Sequence, residues 1–466
     1  MTPSRILAGI LLAGLSAIAA AEKPNVLFLA VDDLRPELAS FGAKQMLTPN
    51  VDALMRRGVR FERAYCMVPT CGASRAALMS GLRPSPSRFT SYLTRASKDA
   101  PGVTTLNTHF KNHSYYTVSL GKIFHHPDDN VQGWSEKPWR PQAQAYATDE
   151  ANAARVRDAK GRSRGPSWEN GGEVPDDFYG DGKTADQAIA QLHKLAGQDE
   201  PFFLAVGFFK PHLPFVAPGR HYEPYPADSI QMPDNYFPPK NAPPGAVHNS
   251  GELRAYSDIP KKGVLPEAKA RELIRGYYAA TSYTDACIGR VMAAFDELEL
   301  GENTIVVLWG DHGWNLGEHT LWCKHSCFET SVRAPLFFAA PKSSGLADNA
   351  ATPALTEFID VYPTLCDLAG IPKPDHLQGT SLVPILQQPE NASVKDAAIS
   401  RFGHGDTIRT DRYRYTVYAK AKNRVAGHML YDHETDPGEN VNVADDPAYA
   451  EIVRELAAKL EAGRGK

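Results

Sequence analysis

The chain has 466 residues, 42% of them hydrophobic and 22% charged, with 36 Gly and 36 Pro. At roughly 100–200 residues per domain this is a few domain-sized units or one large α/β enzyme with appendages, and the near-average apolar content excludes collagen-like, coiled-coil and wholly disordered classes. Fifty Lys and Arg against 54 Asp and Glu, a formal net charge of −4, leave no global electrostatic pull toward nucleic acid.

Taken in chain order, Arg5, the apolar run Ile6–Ile18 and the A-x-A patterns at 17–19 and 19–21 read as a cleaved export signal over residues 1–21. The run is shorter than the roughly 20 apolar residues of a membrane span, and no later stretch reaches that length, so the expectation is a periplasmic or secreted protein. Asn25–Val31 is a nearly continuous apolar run of the kind buried on both faces of a parallel sheet, and it ends in Asp32-Asp33. Thr48-Pro49 opens a short helix. The alternation then continues: helix near 105–115 and strand 116–120, helix 185–195 and strand 202–208, helix 283–298 and strand 304–309, strand 335–340 and helix 355–369. Such a rhythm predicts an α/β domain with a mainly parallel sheet sandwiched by helices.

Two segments break the pattern. Residues 127–182 are polar and aperiodic, and residues 211–266 carry a third of the prolines, so both read as loops walling a cleft. Residues 407–418 alternate like one antiparallel strand, and 448–462 form an amphipathic helix, which predicts a smaller C-terminal α+β subdomain over 391–466 behind a catalytic domain over 22–390. The six cysteines are scattered, and Cys323-x3-Cys327 lacks the second pair a structural zinc site needs. Cys287 and Cys366 fall in helical patterns and read as buried apolar residues.

Ligands of open α/β sheets bind beyond the carboxyl ends of the strands. Three polar clusters fall there: Asp32-Asp33, Lys122 with His125, and Asp311-His312. Adjacent carboxylates repel, and a hard cation, Ca2+ or Mg2+, is a common reason to hold several together. Cys71-Gly72-Ala73-Ser74-Arg75 puts a cysteine at the start of an apparent helix, where free N–H groups favour an anion.

The C-x-A-x-R spacing resembles the signature of type I, formylglycine-dependent sulfatases of the alkaline phosphatase superfamily. Residues 121–125, 210–215, 311–319 and 407–418 extend the resemblance, above all to iduronate-2-sulfatase-like enzymes; position 73 is Ala where Pro is commoner. The resemblance implies oxidation of Cys71 to Cα-formylglycine by a maturation enzyme. It also implies one calcium ion on Asp32, Asp33, Asp311, His312 and modified Cys71, with sulfate against Arg75, Lys122, His125, His212 and Lys324. Asp311 would take a proton from the hydrated aldehyde, whose oxygen attacks sulfur. His212, helped by Lys324, would protonate the departing sugar oxygen, and His125 would accept the proton that lets sulfate leave. The implied substrate is a sulfated oligosaccharide, with exo-removal of a uronate 2-O-sulfate and Arg409 or His325 near the sugar carboxylate. A phosphatase or phosphonate monoester hydrolase, and a non-catalytic sulfated-glycan binder with unmodified Cys71, remain the alternatives.

Overall fold

The computed structural model describes residues 23–157, 161–419 and 426–464. The stretch read as an export signal lies outside them. Seven strands form the central sheet: β1 (Asn25–Val31), β2 (Val59–Tyr65), β3 (Tyr116–Gly121), β4 (Phe202–Phe208), β5 (Thr304–Gly310), β6 (Leu336–Ala339) and β7 (Ala350–Glu357). Their order is β7-β2-β6-β5-β1-β4-β3, and only β6 runs antiparallel to its neighbours.

Both faces of the sheet are covered, which is why β1 is apolar from Val26 to Val31. Leu27, Leu29 and Val31 face a core shared with α1 (Pro49–Met55), α4 (Gly180–Leu195) and α5 (Glu267–Glu297). Val26, Phe28 and Ala30 face a second core shared with α2 (Cys71–Ser80), α3 (Leu106–Asn112) and α6 (Val361–Leu368). At the carboxyl ends of β3 and β4 the backbones approach too closely for a side chain. A Cβ on Gly121, whose φ is +69°, would lie 2.0 Å from the Gly207 carbonyl oxygen. This glycine pair lets the chain at Lys122 leave β3 in close contact with the end of β4.

A second sheet is antiparallel and sequential: β8 (Ala398–Phe402), β9 (Gly405–Arg409), β10 (Tyr413–Tyr418) and β11 (Gly427–Asp432). One face packs Ile408, Tyr415 and Leu430 on Leu456 and Leu460 of α7 (Ala450–Gly463). The other packs Tyr418, Met429 and Tyr431 on Leu321 and Phe328, so it backs the loop that carries Lys324.

Three expectations need correction. Residues 407–418 are not one strand but a hairpin, because Thr410–Arg412 turn the chain between β9 and β10. The helix expected from 355 begins at Val361, after strand β7, which pairs with β2 at the sheet edge. The helix expected from 283 is the last half of the 31-residue α5. All six cysteines are buried and unpaired, and no helix among the described residues is long and apolar enough to cross a membrane.

Glu357, at the end of β7, joins the two sheets. Its buried carboxylate accepts from Arg83 at 2.7 Å, Lys395 at 2.7 Å and the Ile399 N–H at 2.8 Å. Burial alone would raise this carboxyl, but Lys395 and Arg83 outweigh it and hold it below the usual range. A depressed carboxyl stabilises the fold above its unfolded pKa and loses that contribution as the pH falls through the folded one. Glu357→Gln is therefore expected to lower unfolding free energy by about 3 kcal/mol at neutral pH. In urea melts across pH, the gap between the two proteins should close on the acid side.

Candidate active site

The four adjacent strands β5, β1, β4 and β3 run parallel, so their carboxyl ends open on one side. The ladder continues one residue past each strand: the Asp32 N–H donates to Phe208 O at 3.1 Å, the Asp311 N–H to Val31 O at 3.1 Å and the Lys122 N–H to Gly207 O at 2.8 Å. Asp311 and Asp32 are thereby presented side by side, and Lys122 on the same side of the sheet one strand beyond β4. Asp33 takes a left-handed backbone, φ 61°, a region Asp tolerates better than most residues, and its N–H donates to Asp311 Oδ1 at 2.9 Å.

Helix α2 contributes Cys71 in its first turn and Arg75 four residues later on the same face, the spacing that stacks two side chains one turn apart. All ten residues of this helix are buried. Arg75 donates through Nε to Asp311 Oδ2 at 2.8 Å and through Nη2 to Asp32 Oδ1 at 3.2 Å, and its Nη1 meets the carbonyls of Lys122 and Ile123. Lys122 Nζ donates to Asp32, and Lys324 Nζ lies 3.0 Å from both oxygens of Asp33. Cys71 Sγ lies 3.7 Å from Asp33 Oδ1 and 3.4 Å from His312 Nε2, while His312 Nδ1 donates to Gly313 O at 2.9 Å.

Burial and neighbouring charges together set the protonation states. Burial would raise the Asp32 carboxyl, but Lys122 and Arg75 hold it well below the usual range. Asp311 remains raised, because its burial outweighs the help from His312 and Arg75. Burial, reinforced by Asp32, pushes the Cys71 thiol well above its ordinary value. His125 is pushed down to about 2 by burial and by Lys122, so it is neutral, and its buried Nδ1 has no hydrogen-bond partner.

His212 and Lys324 approach from the loops. His212 Nδ1 pairs with Leu213 O at 2.6 Å, and Nε2 lies 3.2 Å from Glu252 Oε1 and 3.9 Å from Asp33 Oδ2. The same Glu252 accepts from Lys324 through Oε1 at 3.0 Å, with Oε2 2.9 Å from that ammonium. Glu252 was not singled out in the sequence: it sits in the proline-rich loop, with no motif around it. Burial would raise its carboxyl, but Lys324 and His212 hold it well below the usual range.

The structure thus gathers Asp32, Asp33, Cys71, Arg75, Lys122, His212, Asp311, His312 and Lys324 into one contact network. His125 lies at its edge. His325 follows Lys324 and rests its ring 5.3 Å from that of Phe402. Arg409, expected beside the sugar carboxylate, is not brought into this network. Its guanidinium meets Glu329 at 3.3 Å, His433 at 3.1 Å and the Thr410 carbonyl, and it lines a separate cavity with Arg63, Arg333 and Arg412. The alternation of arginines in 407–418 reflects strand faces, and the face carrying Arg409 and Arg414 turns to the Glu329 and Glu439 carboxylates.

Donor atoms of Asp32, Asp33, Cys71 and His212 lie within 4.8 Å of one another, as do those of Cys71, Asp311 and His312. Three of these six residues are carboxylates and only one is a thiol, so they fit a hard cation better than a thiolate-bound soft one. Fixed cations around that centre suit a tetrahedral oxyanion.

Fold and site together define a hydrolase of anionic esters built on the alkaline phosphatase-like sandwich. Residues 24–371 match the family described as Sulfatase, and 317–466 match that described as N-sulphoglucosamine sulphohydrolase, C-terminal. The chain belongs to the sulfatase family and is a sulfuric ester hydrolase. It is 29% identical to iduronate 2-sulfatase of Mus musculus, with 93% of each chain covered. It is also 29% identical to a Delta 4,5-hexuronate-2-O-sulfatase of Bacteroides thetaiotaomicron, covering 97% of this chain and 91% of that one. Among solved structures, a 2-O GAG sulfatase aligns with a TM-score of 0.73 at 27% identity, over 95% of this chain and 92% of that one.

Among the described residues Arg75 is the side chain that bonds both Asp32 and Asp311, and Arg75→Ala leaves the first to Lys122 and the second without its guanidinium partner. The variant should lose about 3 kcal/mol of unfolding free energy together with turnover. Arg75→Lys should recover part of the stability in denaturant melts but not the activity, because an ammonium cannot reproduce the guanidinium fork.

Proposed function

We propose that the enzyme removes a 2-O-sulfate from a uronic acid at the non-reducing end of a sulfated oligosaccharide, of glycosaminoglycan or algal origin. In this reading residue 71 acts in its formylglycine form beside one calcium ion. The observation that carries it is the setting of Cys71. As a thiol it is 2% exposed and held protonated among carboxylates, which makes it a poor nucleophile, yet it starts the helix whose Arg75 faces the same centre. A hydrated aldehyde at position 71 would supply the oxygen nucleophile that this thiol does not. The uronate is supported by the two relatives named above, whose names state 2-sulfated uronates.

Asp32, Asp33, Asp311, His312 and an oxygen at position 71 would hold calcium, which would supply the positive charge that draws the sulfuryl oxygens in. Arg75, Lys122 and Lys324 fix the remaining positive field on the sulfate. Asp311, whose carboxyl is raised, accepts a proton from the nucleophile. His212 donates from Nε2 to the leaving sugar oxygen, and Lys324 steadies that oxygen. His125, neutral and with an unpartnered Nδ1, accepts the proton that lets inorganic sulfate depart. His325, next to Lys324, is assigned to the sugar side of the site. The reading also includes export of the chain and a maturation enzyme that acts before folding closes over Cys71.

The test compares release of inorganic sulfate and phosphate from matched aryl esters, followed by end-sulfated disaccharides with and without the uronate carboxyl. Sulfate release should dominate, and the carboxylated sugar should be preferred. Cys71→Ala should fold and show no turnover; comparable turnover by this variant, or faster phosphate release, contradicts the reading.

Metal removal gives a second expectation. Stripping the cation leaves the carboxylates with less opposing charge, so exhaustive chelation should lower the melting temperature and abolish turnover. Calcium should restore both and zinc neither. Unchanged melting and rate after chelation would exclude a metal from the cluster.

A further inference from the structure

Glu252 is an unexpected neighbour for residues meant to receive an anion. Its carboxylate lies 2.9 Å from Lys324 Nζ and 3.2 Å from His212 Nε2, and it is only 17% exposed. These two side chains come from separate loops, one after β4 and one backed by the C-terminal sheet, and no other described carboxylate except Asp33 meets both. Lys324 therefore sits between Asp33 on one side and Glu252 on the other, while His212 is held at Nδ1 by Leu213 O and at Nε2 by Glu252.

The loop that carries Glu252 is itself tied to the Lys324 loop. The Ser250 N–H donates to His248 Nδ1 at 2.9 Å, which leaves Nε2 of that ring as the donor to Lys324 O at 2.7 Å. The Trp322 N–H donates to Ser250 Oγ at 3.0 Å. Lys324 needs this support because both its neighbours, Cys323 (φ 68°) and His325 (φ 78°), adopt the left-handed backbone that side chains other than glycine enter only under strain. A loop under that strain keeps its geometry only where its surroundings determine it.

We infer that Glu252 is a positioning residue for the leaving-group side of the reaction, holding Lys324 and His212 together so that both address the oxygen that departs from sulfur. The inference rests on the roles assigned to those two residues under the proposed function. Glu252 itself touches neither the nucleophile at position 71 nor Arg75 and Lys122, so its loss should weaken stabilisation of the leaving oxygen selectively.

The experiment measures kcat/KM for sulfate release from 4-nitrophenyl, phenyl and 4-methoxyphenyl sulfate by wild type, Glu252→Gln and Glu252→Asp. A good leaving group needs little help, so the Gln variant should be within about threefold of wild type on the nitrophenyl ester. Its deficit should grow to about thirtyfold on the methoxyphenyl ester, short of the roughly hundredfold or more that general-acid assistance usually supplies, because His212 and Lys324 themselves remain. Glu252→Asp, which keeps the charge with a shorter reach, should fall between. Ratios between substrates on one preparation cancel any loss of folded enzyme, and if only the Asp variant folds, its steeper leaving-group dependence carries the test. The same deficit on all three esters, or none, overturns the inference while leaving the sulfatase reading intact. Absence of sulfate release by wild type would instead defeat that reading.

Discussion

Asp32, Asp33 and Asp311 are fully buried at the ends of adjacent strands, where each unopposed charge would cost several kcal/mol. Arg75, Lys122 and Lys324 answer them, and each of these cations is placed by a different part of the fold. Arg75 comes from the buried helix α2, Lys122 from the end of β3 through its glycine pair with β4, and Lys324 from a loop pressed against the second sheet. The rest of the structure follows from the need to hold this arrangement without water. Side chains able to neutralise a sulfate are present because the carboxylates already require them.

The C-terminal sheet takes part in the same arrangement. Beyond backing Lys324, its first strand bonds the segment that leads into Cys71: Ser400 Oγ donates to Cys66 O at 2.6 Å and the Arg401 N–H to Met67 O at 2.9 Å. Arg414 pairs with Glu329 and with Glu439, which lies 2.7 Å away. Both loops that enter the site from that side are thus braced by a part of the chain that supplies none of the clustered residues.

Much of this was legible in the sequence where a residue's signal is local. Strands β1 and β4 match their apolar runs to the residue, since two-sided burial allows almost nothing else. The strand-end clusters Asp32-Asp33 and Asp311-His312 were readable for the same reason. The strands at the β7 end of the sheet were harder. β2 interleaves charged residues, and β7 contains a proline and few β-branched residues, so neither carries a continuous apolar stretch. Arg409 carried no local signal of its partners, because a strand position does not say what its face meets. Glu252 gave no signal because its significance lies in two partners 40 and 72 positions away.

The claim on which the chemistry stands is the state of residue 71 in the active enzyme, and trypsin isolates it conveniently. Cleavage after Arg63 and Arg75 yields a peptide with two cysteines, Cys66 and Cys71. In enzyme that releases sulfate, reduction and alkylation followed by mass spectrometry should find one alkylated thiol, at Cys66, and an aldehyde at position 71 that reacts with a hydrazide. Two alkylated thiols in fully active enzyme would contradict the account.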